Sequence, residues 1–111
     1  MDVVIKGKRV GQDRIVVIKS DSIAAPLNPR NDLVNHSPDG FNWGYSGSGP
    51  LQLSFAMLFE YARLKFENEL DAFKYAKQYY SRFCDSVISV MPVDEFTISF
   101  EYIKLWLDSV K

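Results

Sequence analysis

The stretch Phe41-Asn42-Trp43-Gly44-Tyr45-Ser46-Gly47-Ser48-Gly49-Pro50-Leu51-Gln52-Leu53 divides the chain into two kinds of sequence and so decides the fold class. Glycine, serine and large aromatics crowd into residues 43–49, and Pro50 then opens an apolar run from Leu51 to Phe59. Proline fits the first turn of a helix, where its missing N–H is not needed. Ser48 or Gly49 is the expected cap. The helix is expected from Pro50 to Lys65. Leu51, Phe55, Leu58 and Ala62 form one stripe, and Leu53, Met57, Tyr61 and Leu64 a second. A helix apolar on two sides is a buried one.

Downstream the helical spacing continues. Asn68-Glu69-Leu70-Asp71 is a capped helix start with acids in its first turn. Leu70, Phe73, Ala76, Tyr80 and Phe83 then follow helical spacing to about Cys84. Val87-Ile88-Ser89-Val90 is brief and apolar, and Phe96-Thr97-Ile98 reads as a strand or an extended lead-in. Ser99 caps a last helix with Phe100, Ile103, Leu107 and Val110 as its buried stripe and Tyr102 and Trp106 beside it.

Upstream the apolar segments are short and β-branched. Val3-Val4-Ile5-Lys6 and Ile15-Val16-Val17-Ile18 flank the turn-rich Gly7–Asp13 segment, which predicts an antiparallel hairpin. The unbroken apolar run of the second strand suggests cover on both faces, or at least a central position. Residues 20–49 have little periodicity. Pro26 and Pro29 keep the chain extended, Asn31 to Asn35 could hold one helical turn, and Ser37-Pro38-Asp39-Gly40 has the chemistry of a tight turn. Phe41, Trp43 and Tyr45 alternate, so Phe41 to Tyr45 is expected as a short third strand. The predicted fold is α+β over a single domain, 1–111: a small antiparallel sheet, made of the N-terminal hairpin and one or two short strands, covered on one face by about three helices.

The composition fits this. At 111 residues, 47% hydrophobic and 24% charged, the chain can bury roughly two-thirds of its unfolded surface. The net charge of −1 gives no general attraction for nucleic acid. Lys6, Lys8, Arg9 and Arg14 read as a solvated hairpin end. A lone cysteine, Cys84, fits a reducing cytoplasm and a small buried hydrophobe. The N-terminus lacks the pattern of a signal peptide, and no run is long enough to span a membrane. One histidine and one cysteine supply no typical metal site, so neither metal nor cofactor is expected. Glu67/Glu69 and Asp94/Glu95 read as capping and turn acids. Tyr61, Phe66, Tyr75, Tyr79 and Tyr80 read first as core packing, and otherwise as a contact patch for another protein.

The glycine loop matches no catalytic motif. Gly44 to Gly49 has the spacing of a phosphate-binding P-loop, but Pro50 and Leu51 replace its lysine and hydroxyl. The dinucleotide fingerprint that starts at Gly47 fails at Gln52, and the hydrolase elbow that starts at Gly44 fails at Ser48. Two readings remain. Trp43, Tyr45, Ser46, Gly47, Ser48, Gly49 and Gln52 could hold an anion or small ligand on the free N–H groups of a helix start. Otherwise the loop is a tight junction that simply needs glycine. A nucleophilic set of His36 with Ser46 or Ser48, beside Asp39, is conceivable.

The segment from Trp43 to Leu53 resembles a small prokaryotic family of unknown function, found in bacteria, archaea and mobile-element genomes, whose mark is W-G-Y-x-G-S-G-P-x-Q-L. The resemblance takes in Leu27 in a proline-containing loop, His36-Ser37-Pro38-Asp39-Gly40-Phe41, then Ala76, Tyr79 and Phe83, and the final tryptophan-bearing helix. Ser46 stands where such proteins often have glycine, and Phe55 where a smaller residue is usual. The resemblance implies no established activity and carries no catalytic residue onto this chain. It implies a context in which small proteins often bind host or phage macromolecules. The expectation is therefore a non-enzymatic binding protein, an accessory or anti-defence factor whose partner is another protein or a second copy of itself. A small anion or nucleotide phosphate at the Gly44–Gly49 loop is the alternative, and a small hydrolase or transferase using His36 comes third. Membrane and nucleic-acid partners are not expected.

Overall fold

The computed structural model describes residues 2–111. The chain forms two compact units: the N-terminal strands through Leu27 together with Val93–Lys111, and Asn28–Pro92. The fold class is α+β, with one four-stranded antiparallel sheet and three α-helices.

The first unit is built on the hairpin of β1 (Val3–Val10) and β2 (Asp13–Ser20). Both strands run further into the turn region than the sequence suggests. Gly7, expected in the turn, sits mid-strand opposite Val16. On its other side it pairs with Phe96, whose ring occupies the space a β carbon at position 7 would need. The glycine is thus a packing choice and not a turn signal. β3 (Ile23–Pro26) joins the outer side of β2 and β4 (Glu95–Ser99) joins β1, which gives the order β3-β2-β1-β4. β2 is central, as its apolar run suggests.

One sheet face is buried and the other open. Val3, Ile5, Val16, Phe96 and Ile98 are buried, while Lys6, Lys8, Ile15, Glu95 and Thr97 are exposed. The four-residue run of β2 is therefore not covered on both faces: Val16 is buried, whereas Ile15 is half exposed. The closing helix α3 (Phe100–Val110) contacts β1 and β4 and buries Ile103 and Leu107. Ser99 caps it as expected, its side chain accepting from the Tyr102 amide.

The second unit pairs α1 (Ser48–Lys65) with α2 (Glu69–Ser86). The expected burial of α1 on two sides holds from Leu53 through Phe59, and the last turn opens, where Leu64 is exposed. Fully burying a large apolar side chain is worth roughly 1.5–3 kcal/mol, so this helix carries much of the unit's stability. α2 buries Ala72, Ala76, Tyr79, Phe83 and Cys84, with Asn68 as its side-chain cap. Leu70, placed in the buried stripe from its spacing, is 60% exposed instead. It sits in the first turn beside the cap, where the small Ala72 takes the buried position. A short 3-10 turn, Ile88–Val90, ends the unit.

The expected third strand, Phe41 to Tyr45, does not form. Those residues are irregular and bend at Gly44 and Tyr45. Gly44 has a φ of 84°, which breaks the alternation a strand requires, and the third strand is Ile23–Pro26 instead.

Candidate functional site

The glycine loop belongs wholly to the second unit. Trp43 is buried, and its indole N–H donates to the Pro92 carbonyl at 3.0 Å. Its amide donates to Asn42 Oδ1 at 3.0 Å, and the Gly44 amide to the Ile88 carbonyl, also at 3.0 Å. The loop is thereby tied to the segment that follows α2. Buried polar groups need such partners, and here the tryptophan serves as an anchor.

The cap of α1 differs from the expected Ser48 or Gly49. The N-cap is Gly47, with no side-chain cap bond, so Ser48 begins the helix and Pro50 falls deeper in its first turn. The reason lies at Gly49. A β carbon there would stand 2.8 Å from Asn42 Cβ and 3.1 Å from Asn42 N. The helix starts where the backbone can press against Asn42. Tyr45 is half exposed, and Ser46 and Ser48 are exposed.

Gln52 turns to the loop that precedes it. It is fully buried, and its amide is spent on the preceding loop. Oε1 accepts from the amides of His36 at 2.8 Å and Ser37 at 3.2 Å, and Nε2 donates to the carbonyls of Pro29 at 2.6 Å and Val34 at 2.8 Å. One side chain thus satisfies four backbone groups of a segment with no regular structure of its own.

His36 is brought to Tyr80: its Nε2 lies 2.7 Å from the tyrosine hydroxyl. Among the described residues it makes no hydrogen bond to Ser46, Ser48 or Asp39. Burial pushes the Tyr80 hydroxyl above its usual range, with the nearby Cys84 thiolate form adding to the shift. Ser54 Oγ donates to the Tyr80 carbonyl at 2.6 Å, so this part of α2 is fixed from two sides. Burial also raises Cys84, to about 11, with Asp85 contributing. A thiol held protonated is a poor nucleophile. Among the described residues no group of three or more His, Cys, Asp or Glu stands at metal-binding distance. No helix of the described residues is long and apolar enough to cross a membrane.

Sequence reasoning missed Arg30. Its guanidinium forms a bidentate pair with Asp32, both bonds at 3.0 Å, and reaches Glu69 at 3.2 Å. It lies over the Phe59 ring at 4.6 Å. Its backbone has a φ of 54°, a region non-glycine residues rarely adopt. Asn28 supports that turn by accepting from the Arg30 amide at 2.9 Å. The available signal was the Asn28-Pro29 pair, which announces a turn but not which side chain fills it. The Asp32 carboxyl is held below its usual range by this guanidinium.

The aromatic zone of the helix pair is self-engaged. Phe66 packs on Tyr75 and Tyr75 on Tyr79, with ring centroids 5.3 and 5.1 Å apart. A different surface stays open in the first unit. Register places Val17, Lys6 and Thr97 in one row across β2, β1 and β4, and Ile15, Lys8 and Glu95 in the next. These rows line a hollow of about 510 Å³ on the exposed face of the sheet.

The family model for DUF6166, a family of unknown function, matches residues 5–109. The chain belongs to this family. That match spans the sheet, the glycine loop and all three helices, so the family is defined by the whole fold and not by the loop alone. No curated protein and no solved structure matches the chain.

Proposed function

We propose that this DUF6166 chain is a non-enzymatic binding protein that acts through protein–protein contacts. One observation carries the reading: the hollow on the open sheet face has an apolar floor, Ile15 and Val17, with Ile15 half exposed. Half-exposed branched residues in a concave, ordered surface are what a partner covers. The polar groups of Trp43 and Gln52 and the Gly44 amide, by contrast, are spent inside the second unit. The W-G-Y segment and its likeness to proteins of mobile elements support a role as an accessory or anti-defence factor in a prokaryotic host.

The test is affinity capture from prokaryotic lysate with the native chain and with Ile15→Glu as baits, joined to a mass measurement of the purified chain. A stoichiometric complex, with a second copy or another protein, that the substitution abolishes is the expected result. A monomer that captures nothing would overturn the reading.

A second reading is a small anion or nucleotide phosphate at the Gly44–Gly49 loop. It is favoured by a glycine N-cap that offers no side chain to the first amides of α1, next to the exposed hydroxyls of Ser46 and Ser48. Amide shifts confined to 46–49 on titration with inorganic phosphate would support it. Shifts absent up to millimolar phosphate would remove it.

A further inference from the structure

Resting on the protein-binding reading above, we infer that the occupant of the sheet hollow is an extended acidic segment of a partner protein that also carries a branched apolar side chain. Three observations carry this. Lys6 and Lys8 project from β1 to the same open face, and both are exposed. Alternate residues of a strand stand about 7 Å apart, so acids at alternate positions of an extended segment match the lysine spacing. Among the described residues neither lysine makes an ion pair, although Glu95 stands opposite Lys8 in the register. Both ammonium groups therefore remain available to a partner's carboxylates.

Beside the lysines, Val17 and Ile15 occupy the matching positions of β2. They supply an apolar floor one strand away, at about 4.8 Å. An acidic segment with one branched apolar side chain meets both features, whereas a uniformly charged polymer would leave the floor uncovered. The floor also argues against single-stranded nucleic acid, which is held by aromatic stacking as well as charge. No aromatic side chain stands in these two rows; Phe96 also borders the hollow, but it is only 7% exposed and alternates to the buried face, so it offers no ring for a base to stack on.

The experiment is selection from a displayed random-peptide library with three baits: the native chain, a Lys6→Glu/Lys8→Glu variant and Ile15→Ser. All three positions are exposed, and circular dichroism is to be recorded to check that the variants fold. Native bait is expected to enrich peptides with Asp or Glu at alternate positions beside Val, Ile or Leu. The selected peptide should bind the charge-reversed chain at least about tenfold more weakly (about 1.4 kcal/mol) and the Ile15→Ser chain more weakly as well. Its amide shift changes should map to Lys6, Lys8, Ile15, Val17 and Thr97. Peptides that are basic or uncharged, that survive charge reversal, or that fail to emerge would each overturn the inference. A parallel arm with labelled oligo-dT assigns the surface to nucleic acid if that probe alone binds and charge reversal abolishes it. A captured protein complex that tolerates Lys6→Glu/Lys8→Glu but not Ile15→Glu would leave the protein-binding reading intact and remove the acidic occupant alone.

Discussion

Replacing Gln52 with leucine nearly keeps its volume but strands two amides and two carbonyls that have no other partner in the loop. Each buried group left unsatisfied costs roughly 1–3 kcal/mol, so urea unfolding should show a loss of about 3 kcal/mol or more. Gln52→Glu should also destabilise, because it keeps the acceptor and replaces the donor with a buried charge. Gly49→Ala should cost about 1–3 kcal/mol, typical of overpacking against fixed atoms, since its neighbour is the Asn42 backbone. Ser46→Ala and Ser48→Ala, both exposed, should stay within about 0.5 kcal/mol. The importance of Trp43, Gly49 and Gln52 was legible from their unusual company in sequence. Their function was not: a glutamine after a glycine loop looks like a ligand contact, and only the return of residues 29–37 onto α1 shows whose amides it serves. Arg30 was invisible for a related reason, since its side chain finds Phe59 and Glu69 only through the tertiary fold.

Among the elements, those set by local chemistry were legible. Asn68 and Ser99 cap their helices because each side chain reaches an amide three residues on. Asn68→Ala should lower stability by about 1 kcal/mol, as loss of an N-cap usually does, read as a shift in urea midpoint without a change in slope. The start of α1 was misplaced because its limit is steric and comes from Asn42, which lies seven positions before Gly49 but in contact with it across the loop. The alternating aromatics of 41–45 misled in the same way. Trp43 and Gly44 bond to Pro92 and Ile88, not to a neighbouring strand. Meanwhile β3, with two alanines and a proline beside its single β-branched Ile23, carries little of the usual strand composition and pairs because β2 offers it an edge, where a missing N–H is tolerated. The turn that Arg30 fastens to α2 gives a further expectation. Arg30→Lys should lose most of what Arg30→Ala loses in thermal stability, about 2 kcal/mol, because an ammonium can neither pair in bidentate fashion nor stack flat on a ring.

At the scale of the molecule, proton binding sets a window of stability. The native thiol of Cys84 titrates at about 11 against an ordinary value of 9.0. Between those values the unfolded chain releases a proton that the native chain retains, so stability falls as pH rises. The contribution is complete below pH 9 and lost as pH passes through 11, and the raised Tyr80 acts in the same direction. Urea midpoints should be flatter in this range for Cys84→Ala than for the native chain, and the native thiol should resist alkylating reagents at neutral pH until the protein is unfolded. The sheet-forming unit and the helix-pair unit also each hold one of the chain's two tryptophans: Trp106 on α3, and Trp43 in the glycine loop. Trp43 is only 2% exposed, so its fluorescence starts blue-shifted and reddens when Asn28–Pro92 opens. A Trp106→Phe chain therefore reports on that unit alone, and subtracting its trace from the native one yields the melting of the sheet. The protein carries, in its own sequence, a separate optical thermometer for each half.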